Sequence, residues 1–275
     1  MSVTSVDHGG EFRVGDVLIQ SWRIFAGNLL FFLGVPVLIY VAVVFAVAIV
    51  FGLMFALAGG AAQSAGTAAA VVFLAIMLAV ALNMVGQAVL LVGAFQRLRG
   101  ERIRGGAALR RALARFFPLL GLLLLFGLAL AFVGFVCFAF VSSLMTALGF
   151  LALLVVPVVC IPAVVLLVMW AVIVPACVVE GRGPIESMVR SADLTNGHRW
   201  KIFAVFLVLV IAYVVVGELT EAILAPIGPT LAGLAGLAWI AAWTAYWNCA
   251  VIMMYRDLRV AKEGVDTGEI AAVFD

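Results

Sequence analysis

Polar residues in this chain gather in a few short stretches, and long apolar runs separate them. Six runs stand out: Leu29–Leu57, Ala68–Phe95, Phe116–Val141, Gly149–Val179, Ile202–Ala225 and Thr230–Tyr255. Each can cross about 30 Å of hydrocarbon, which takes roughly 20 helical residues. Five hold no charged residue; the fifth run is charge-free for sixteen residues and then carries Glu218 and Glu221. Lipid cannot hydrogen-bond a peptide group, so the runs predict α-helices, and none shows the period-2 alternation of a barrel strand. The expectation is an all-α polytopic membrane protein with six transmembrane helices.

A shorter amphipathic pattern precedes every second run. Val14, Leu18, Trp22 and Phe25 recur at helical spacing before the first, and Leu109, Ala112, Leu113 and Phe116 before the third. Before the fifth, Pro184 suits a first helical turn, and Ile185, Met188, Val189 and Ala192 form the stripe. These predict short helices lying in the cytoplasmic interface. The first and third also align without gaps, Asp16 with Glu186, Ser21 with Ser191 and Gly27 with Gly197. An elbow-plus-hairpin unit would then occur three times, over about 15–95, 105–179 and 183–255, always in the same direction, unlike an inverted-repeat transporter. Coincidence among three matched positions is the competing explanation.

Composition narrows the class. The chain is 67% hydrophobic and 11% charged, with a mean hydropathy of +1.30, against about 25% charged residues in an average soluble domain. A soluble monomer and a disordered chain are both excluded. All 16 Lys and Arg fall in the N-terminal arm, the second-to-third connection, the fourth-to-fifth connection and the tail; the three opposite connections (58–67, 142–148 and 226–229) have none. By the positive-inside rule both termini are cytoplasmic and the protein belongs in a plasma (inner) membrane. The organisation read is an arm with an interfacial helix (1–28), a transmembrane domain (29–255) and a cytoplasmic tail (256–275). The first run is no signal peptide, because Asp7, Glu11 and Asp16 spoil a basic n-region.

Arg97, Arg99, Arg102, Arg104, Arg110, Arg111 and Arg115 crowd the second-to-third connection and are candidates for anionic-headgroup contact, at about 1 kcal/mol per basic residue near the surface. Nucleic acid is not expected as a partner, since Leu109, Ala112, Leu113 and Phe116 interleave those arginines at helical spacing.

Two basic-side stretches carry a further likeness. One is Pro175–Phe203, "PACVVEGRGPIESMVRSADLTNGHRWKIF", and the other Tyr255–Asp266, "YRDLRVAKEGVD". Together with "FRVGDVLIQSWRIF" at Phe12–Phe25, they resemble the membrane domain fused to some glycerophosphoryl diester phosphodiesterases, which also occurs alone as a six-span protein. The likeness extends over essentially the whole chain. It does not imply the activity. A phosphodiesterase of that type needs paired histidines and metal-binding carboxylates on a barrel of roughly 250 residues, whereas this chain has only His8 and His198 and lacks the barrel.

Four polar residues within the runs are candidates for a polar or transport site. Glu218 lies about 24 Å along its helix from Ile202, and Glu221 shares its face at i,i+3. They read either as proton, cation or headgroup contacts or as carboxylates reaching headgroup water. Asn83 and Gln87, at i,i+4, line a polar path or bond a neighbouring helix. Trp239, Trp243 and Trp247 form a stripe, and Pro157, Pro162 and Pro175 predict a kinked fourth helix. Cys137, Cys160, Cys177 and Cys249 have no metal-type spacing, and no catalytic, metal or cofactor motif is read.

The reading is of a non-catalytic membrane protein that binds or organises lipid, or serves as membrane partner of another protein or of its own copies. A small-solute or lipid transporter using Glu218 and Glu221 is the alternative, and a membrane-embedded enzyme the third. Cysteine labelling from outside the cell should reach positions near Ser64 and Met145 and miss Gly105 and Gly181; labelling at Gly105 would reverse the topology.

Overall fold

The computed structural model describes residues 12–57 and 65–264, and every regular element among them is helical. The His8–Gly10 segment, most of the 58–67 connection and the tail beyond Gly264 lie outside the described residues. In chain order the helices are α1 (Val14–Ala26), α2 (Leu29–Leu57), α3 (Ala65–Leu98), α4 (Gly105–Ala114), α5 (Phe116–Leu148), α6 (Val156–Val159), α7 (Ile161–Met169), α8 (Ile173–Val179), α9 (Pro184–Thr195), α10 (Arg199–Leu224) and α11 (Pro229–Glu263). A 3-10 stretch, Gly149–Leu154, links α5 to α6. Six spans are long and apolar enough to cross a membrane: α2, α3, α5, the α6–α8 series, α10 and α11. The chain is an integral membrane protein on that ground. The last helix runs past Tyr255, where the apolar run stops, to Glu263.

The fourth span is not one kinked helix but three short ones. Pro157 and Pro162 sit in the first turns of α6 and α7, where a missing N–H costs no intrahelical bond. Between α7 and α8 the chain leaves the helix at Trp170 and Val172. Ile173 N–H then bonds the Trp170 carbonyl, in a 3-10 pattern, which strands the carbonyl of Met169. Helix α9 supplies the missing partners. The hydroxyls of Ser191 and Thr195 donate to the Met169 carbonyl at 3.0 and 3.1 Å, and Val172 N–H donates to the Ser191 hydroxyl at 3.3 Å.

Helices α1, α4 and α9 form where the amphipathic stripes predict them, each with a characteristic inner face. Val17, Ser21, Ile24 and Phe25 of α1, Ala108 and Ala112 of α4, and Ser187, Ser191, Leu194 and Thr195 of α9 are buried. The larger apolar residues Ile19, Trp22, Leu109, Leu113, Ile185 and Val189 stay exposed. Asp16 and Glu186 both occupy the third helical position, and the Glu186 carboxylate accepts from Gly183 N–H at 3.3 Å. Gly27 and Gly197 are not equivalent: φ is −70° at the first and +86° at the second.

The core gathers at the end of the bundle that carries the basic residues, in α1, the last part of α3, α8, the start of α10 and the second half of α11. Toward the other end the helices present Leu38, Phe45, Phe132 and Phe138 outward. Among apolar helices in lipid, association rests on close backbone approach. Gly86 and Gly93 of α3 provide it, since a Cβ on either would collide with Ile39 or Phe31 of α2. Ala241, Ala245 and Cys249 are buried on α11 in the same manner. The tryptophan stripe packs on α10: Trp247 stacks on Phe206 at 5.1 Å, and Trp239 on Tyr213 at 6.3 Å.

Removing a donor from a buried carbonyl costs about 1–3 kcal/mol. Ser191→Ala and Thr195→Val should each lower the thermal-unfolding midpoint of the detergent-solubilised protein. Their double variant should lose more than the sum, because either hydroxyl alone still bonds the Met169 carbonyl and only the double variant strands it.

Candidate functional site

Three places concentrate polar chemistry. The densest lies at the basic end, where α8 stops. Glu180 follows α8, and Gly181 turns the chain with φ +71°. A side chain at Gly181 would be strained, and its Cβ would strike the guanidinium of Arg115, which donates to the Gly181 carbonyl at 2.7 Å.

The Glu180 carboxylate is ringed by donors. The Tyr255 hydroxyl donates to Oε1 at 2.7 Å, Arg190 Nε to the two oxygens at 3.0 and 3.1 Å, and Arg182 Nε to Oε2. Arg190 also donates to Glu263, whose other oxygen accepts from Arg259 Nε at 2.8 Å. The Arg259 guanidinium lies over the Tyr255 ring, 5.9 Å from its centroid. Lys262 donates to the Asp193 carbonyl. Burial disfavours the charge on Glu180, but bonds from Tyr255, Arg190 and Arg182 outweigh it and hold the carboxyl below its ordinary pKa. Arg190 is likewise penalised by burial, and Glu263 and Glu180 more than restore it, raising its pKa. With both Glu180 oxygens occupied, this is a fastened joint between α8, α9 and the end of α11.

The arginines of the α3–α4 region do not form one patch. Arg115 is drawn into the joint, and Arg99 pairs with Glu101 at 3.6 Å while lying over the Phe95 ring. Arg97, Arg102, Arg104, Arg110 and Arg111 are exposed on the rim. Burial, then the positive charges of Arg115 and Arg99, depress the pKa of Arg111. The like charges there are crowded.

Glu218 and Glu221 are both exposed and line an open cleft of about 220 Å³ between α10 and α11, far from the joint. Asn83 and Gln87 border a much smaller pocket, about 10 Å³, with Tyr40 and Thr244. Asn83 donates to Ala79 of its own helix at 3.0 Å, and Asn248 to Thr244 of its own at 2.8 Å. The bond that crosses from α2 to α11 is instead Tyr40–Thr244, at 3.1 Å. Among the described residues no group of three or more His, Cys, Asp or Glu could hold a metal ion.

Residue typing alone picked out none of Glu180, Arg190, Tyr255, Arg259 or Glu263. All five nevertheless fall in two charge-bearing stretches, Pro175–Phe203 and Tyr255–Asp266. Each stretch holds both acids and bases, and that complementarity was the available signal.

An integral membrane protein of six helical spans, tied by a charged joint at its basic end, is the class these features define. A family model for a domain of unknown function, DUF7847, matches residues 34–252, and the chain belongs to that family. No curated protein and no solved structure matches it.

The lowered pKa of Glu180 gives the joint a pH signature. In the unfolded chain Glu180 takes up a proton near its ordinary pKa of about 4.3, while the native carboxylate stays charged to lower pH. Its stabilisation is therefore complete above that range and is lost as pH falls through the native value. Glu180→Gln should cost about 2 kcal/mol at neutral pH, the scale of hydrogen bonds to a charged group, with a smaller penalty in acid. Thermal unfolding in detergent, followed from pH 7 to well below the ordinary carboxylate range, checks this.

Proposed function

We propose that this protein is a non-catalytic membrane component that binds anionic lipid at its basic end and there organises lipid or holds a membrane partner. The observation that carries this is the surface of α4. Leu109 and Leu113 are 45% and 54% exposed on one side of the helix, Ala108 and Ala112 are buried on another, and Arg110 and Arg111 are exposed beside them. Leucines one turn apart suit acyl chains, and arginines next to them suit headgroup phosphates. Exposed Ile19 and Trp22 on α1, and Ile185 and Val189 on α9, extend the same character around this end.

In this reading the basic end faces the cytoplasm and its anionic leaflet, following the positive-inside rule. The likeness of Pro175–Phe203 and Tyr255–Asp266 to phosphodiesterase-linked membrane domains is in keeping with a membrane-embedding role. A solute path through the bundle would need carboxylates facing its interior, whereas Glu218 and Glu221 are exposed; this favours the lipid reading over transport.

The test must spare Arg115, which holds the Gly181 carbonyl. Arg110→Gln with Arg111→Gln should remove about 2 kcal/mol of headgroup attraction, cutting the anionic lipid retained on purification without shifting thermal unfolding. Retention by the unmodified protein should weaken with added salt. Unchanged lipid content in the double variant, counted by native mass spectrometry, would refute the proposal.

A further inference from the structure

The cleft between α10 and α11 holds charge that the protein does not balance. Glu218 and Glu221 are exposed, and neither carboxylate bonds or pairs with a described residue. All 16 Lys and Arg belong to the segments at the opposite end, and the three short connections at this end have none. Beside the carboxylates stands an aromatic wall. Tyr213 and Trp239 stack across the two helices with centroids 6.3 Å apart and planes 13° from parallel. Trp239 Nε1 donates to the Tyr213 carbonyl at 3.3 Å, which fixes the indole. Gly217 admits it, since a Cβ there would lie 3.2 Å from Nε1. With Gly236, these residues line about 220 Å³, where a single water needs only about 10–15 Å³.

We propose that this cleft binds an organic ammonium group. Electron-rich ring faces attract a cation whose charge is spread over alkyl or N–H groups, and the two carboxylates supply the counter-charge. A bare divalent metal fits less well: calcium takes about 6–8 oxygen ligands, and no third His, Cys, Asp or Glu joins the pair among the described residues. The ammonium can belong to a lipid headgroup or to a free solute, and the two are separable. This site lies at the other end of the bundle from α4, so its test is independent of the anionic-lipid reading.

The probe is tetramethylammonium chloride added to the full-length protein in a maltoside detergent. Saturation-transfer NMR of its methyl protons reports contact without relying on tryptophan emission. The expected result is a saturable signal that equimolar sodium chloride leaves intact. Glu218→Gln with Glu221→Gln should weaken the binding at least about tenfold, on the scale of a partly desolvated cation–π and charge contact. Trp239→Leu should weaken it similarly, while Trp239→Tyr, which keeps a ring, retains it and guards against a folding defect. Displacement by short-chain phosphatidylcholine at lower concentration than by free choline assigns a headgroup; equal displacement by both assigns a soluble cation. No saturable signal in the unmodified protein, or an undiminished one in the double glutamine variant, overturns the proposal.

Discussion

A peptide carbonyl in hydrocarbon must find its donor within the protein, because lipid supplies none. The carbonyl of Met169, stranded where the fourth span breaks, is where this protein meets that constraint. Two hydroxyls of α9 satisfy it, and the third bond, from Val172 N–H to Ser191, closes the gap from the other side. The break can exist only while α9 is docked. Docking in turn depends on the second half of α9, held through Arg190 to Glu180 and Glu263 and through Asp193 to Lys262. The irregular span, the amphipathic helix and the end of α11 therefore form one cooperative unit.

That unit explains the uneven packing. Hydrophobic burial drives little association between helices that lipid solvates equally well. Close packing appears where polar bonds or glycine contacts hold helices together. The first condition applies around α8, α9 and α11, the second along Gly86 and Gly93 of α3. Away from both, large side chains such as Phe45 and Phe132 point outward.

The helical class and the six spans were legible in the sequence because length and hydropathy act on each segment alone. The short helices α1, α4 and α9 were legible for a related reason, since an apolar stripe is a local pattern. Their inner faces were not: Ser21, Ser187 and Ser191 look like solvent-facing residues until the backbone they bond is known. The proline-rich fourth span predicted a bend, and its deepest break, at Trp170–Val172, falls where Pro175 cannot bond the Ala171 carbonyl; the partners on α9 that satisfy the break were not legible in the sequence. The role of Glu180 is hidden in the sequence for the same kind of reason. A lone carboxylate at a span's edge is ordinary; its three donors come from residues as distant in sequence as Tyr255. Glu218 and Glu221 were recognisable at once, because nothing near them in sequence offsets their charge.

Helix α11 is 35 residues long and unbroken, so it extends about 52 Å, well beyond a hydrocarbon layer of about 30 Å. About three turns from one end it carries the indole of Trp239 and at the other end the carboxylate of Glu263, with no hinge between them. The two are keyed to a common shaft. Each residue added to it or removed from it would turn one end relative to the other by about 100°. The angular phase between the aromatic cleft and the charged joint is thus set by residue count, and a change of length between them would tear one or the other out of register.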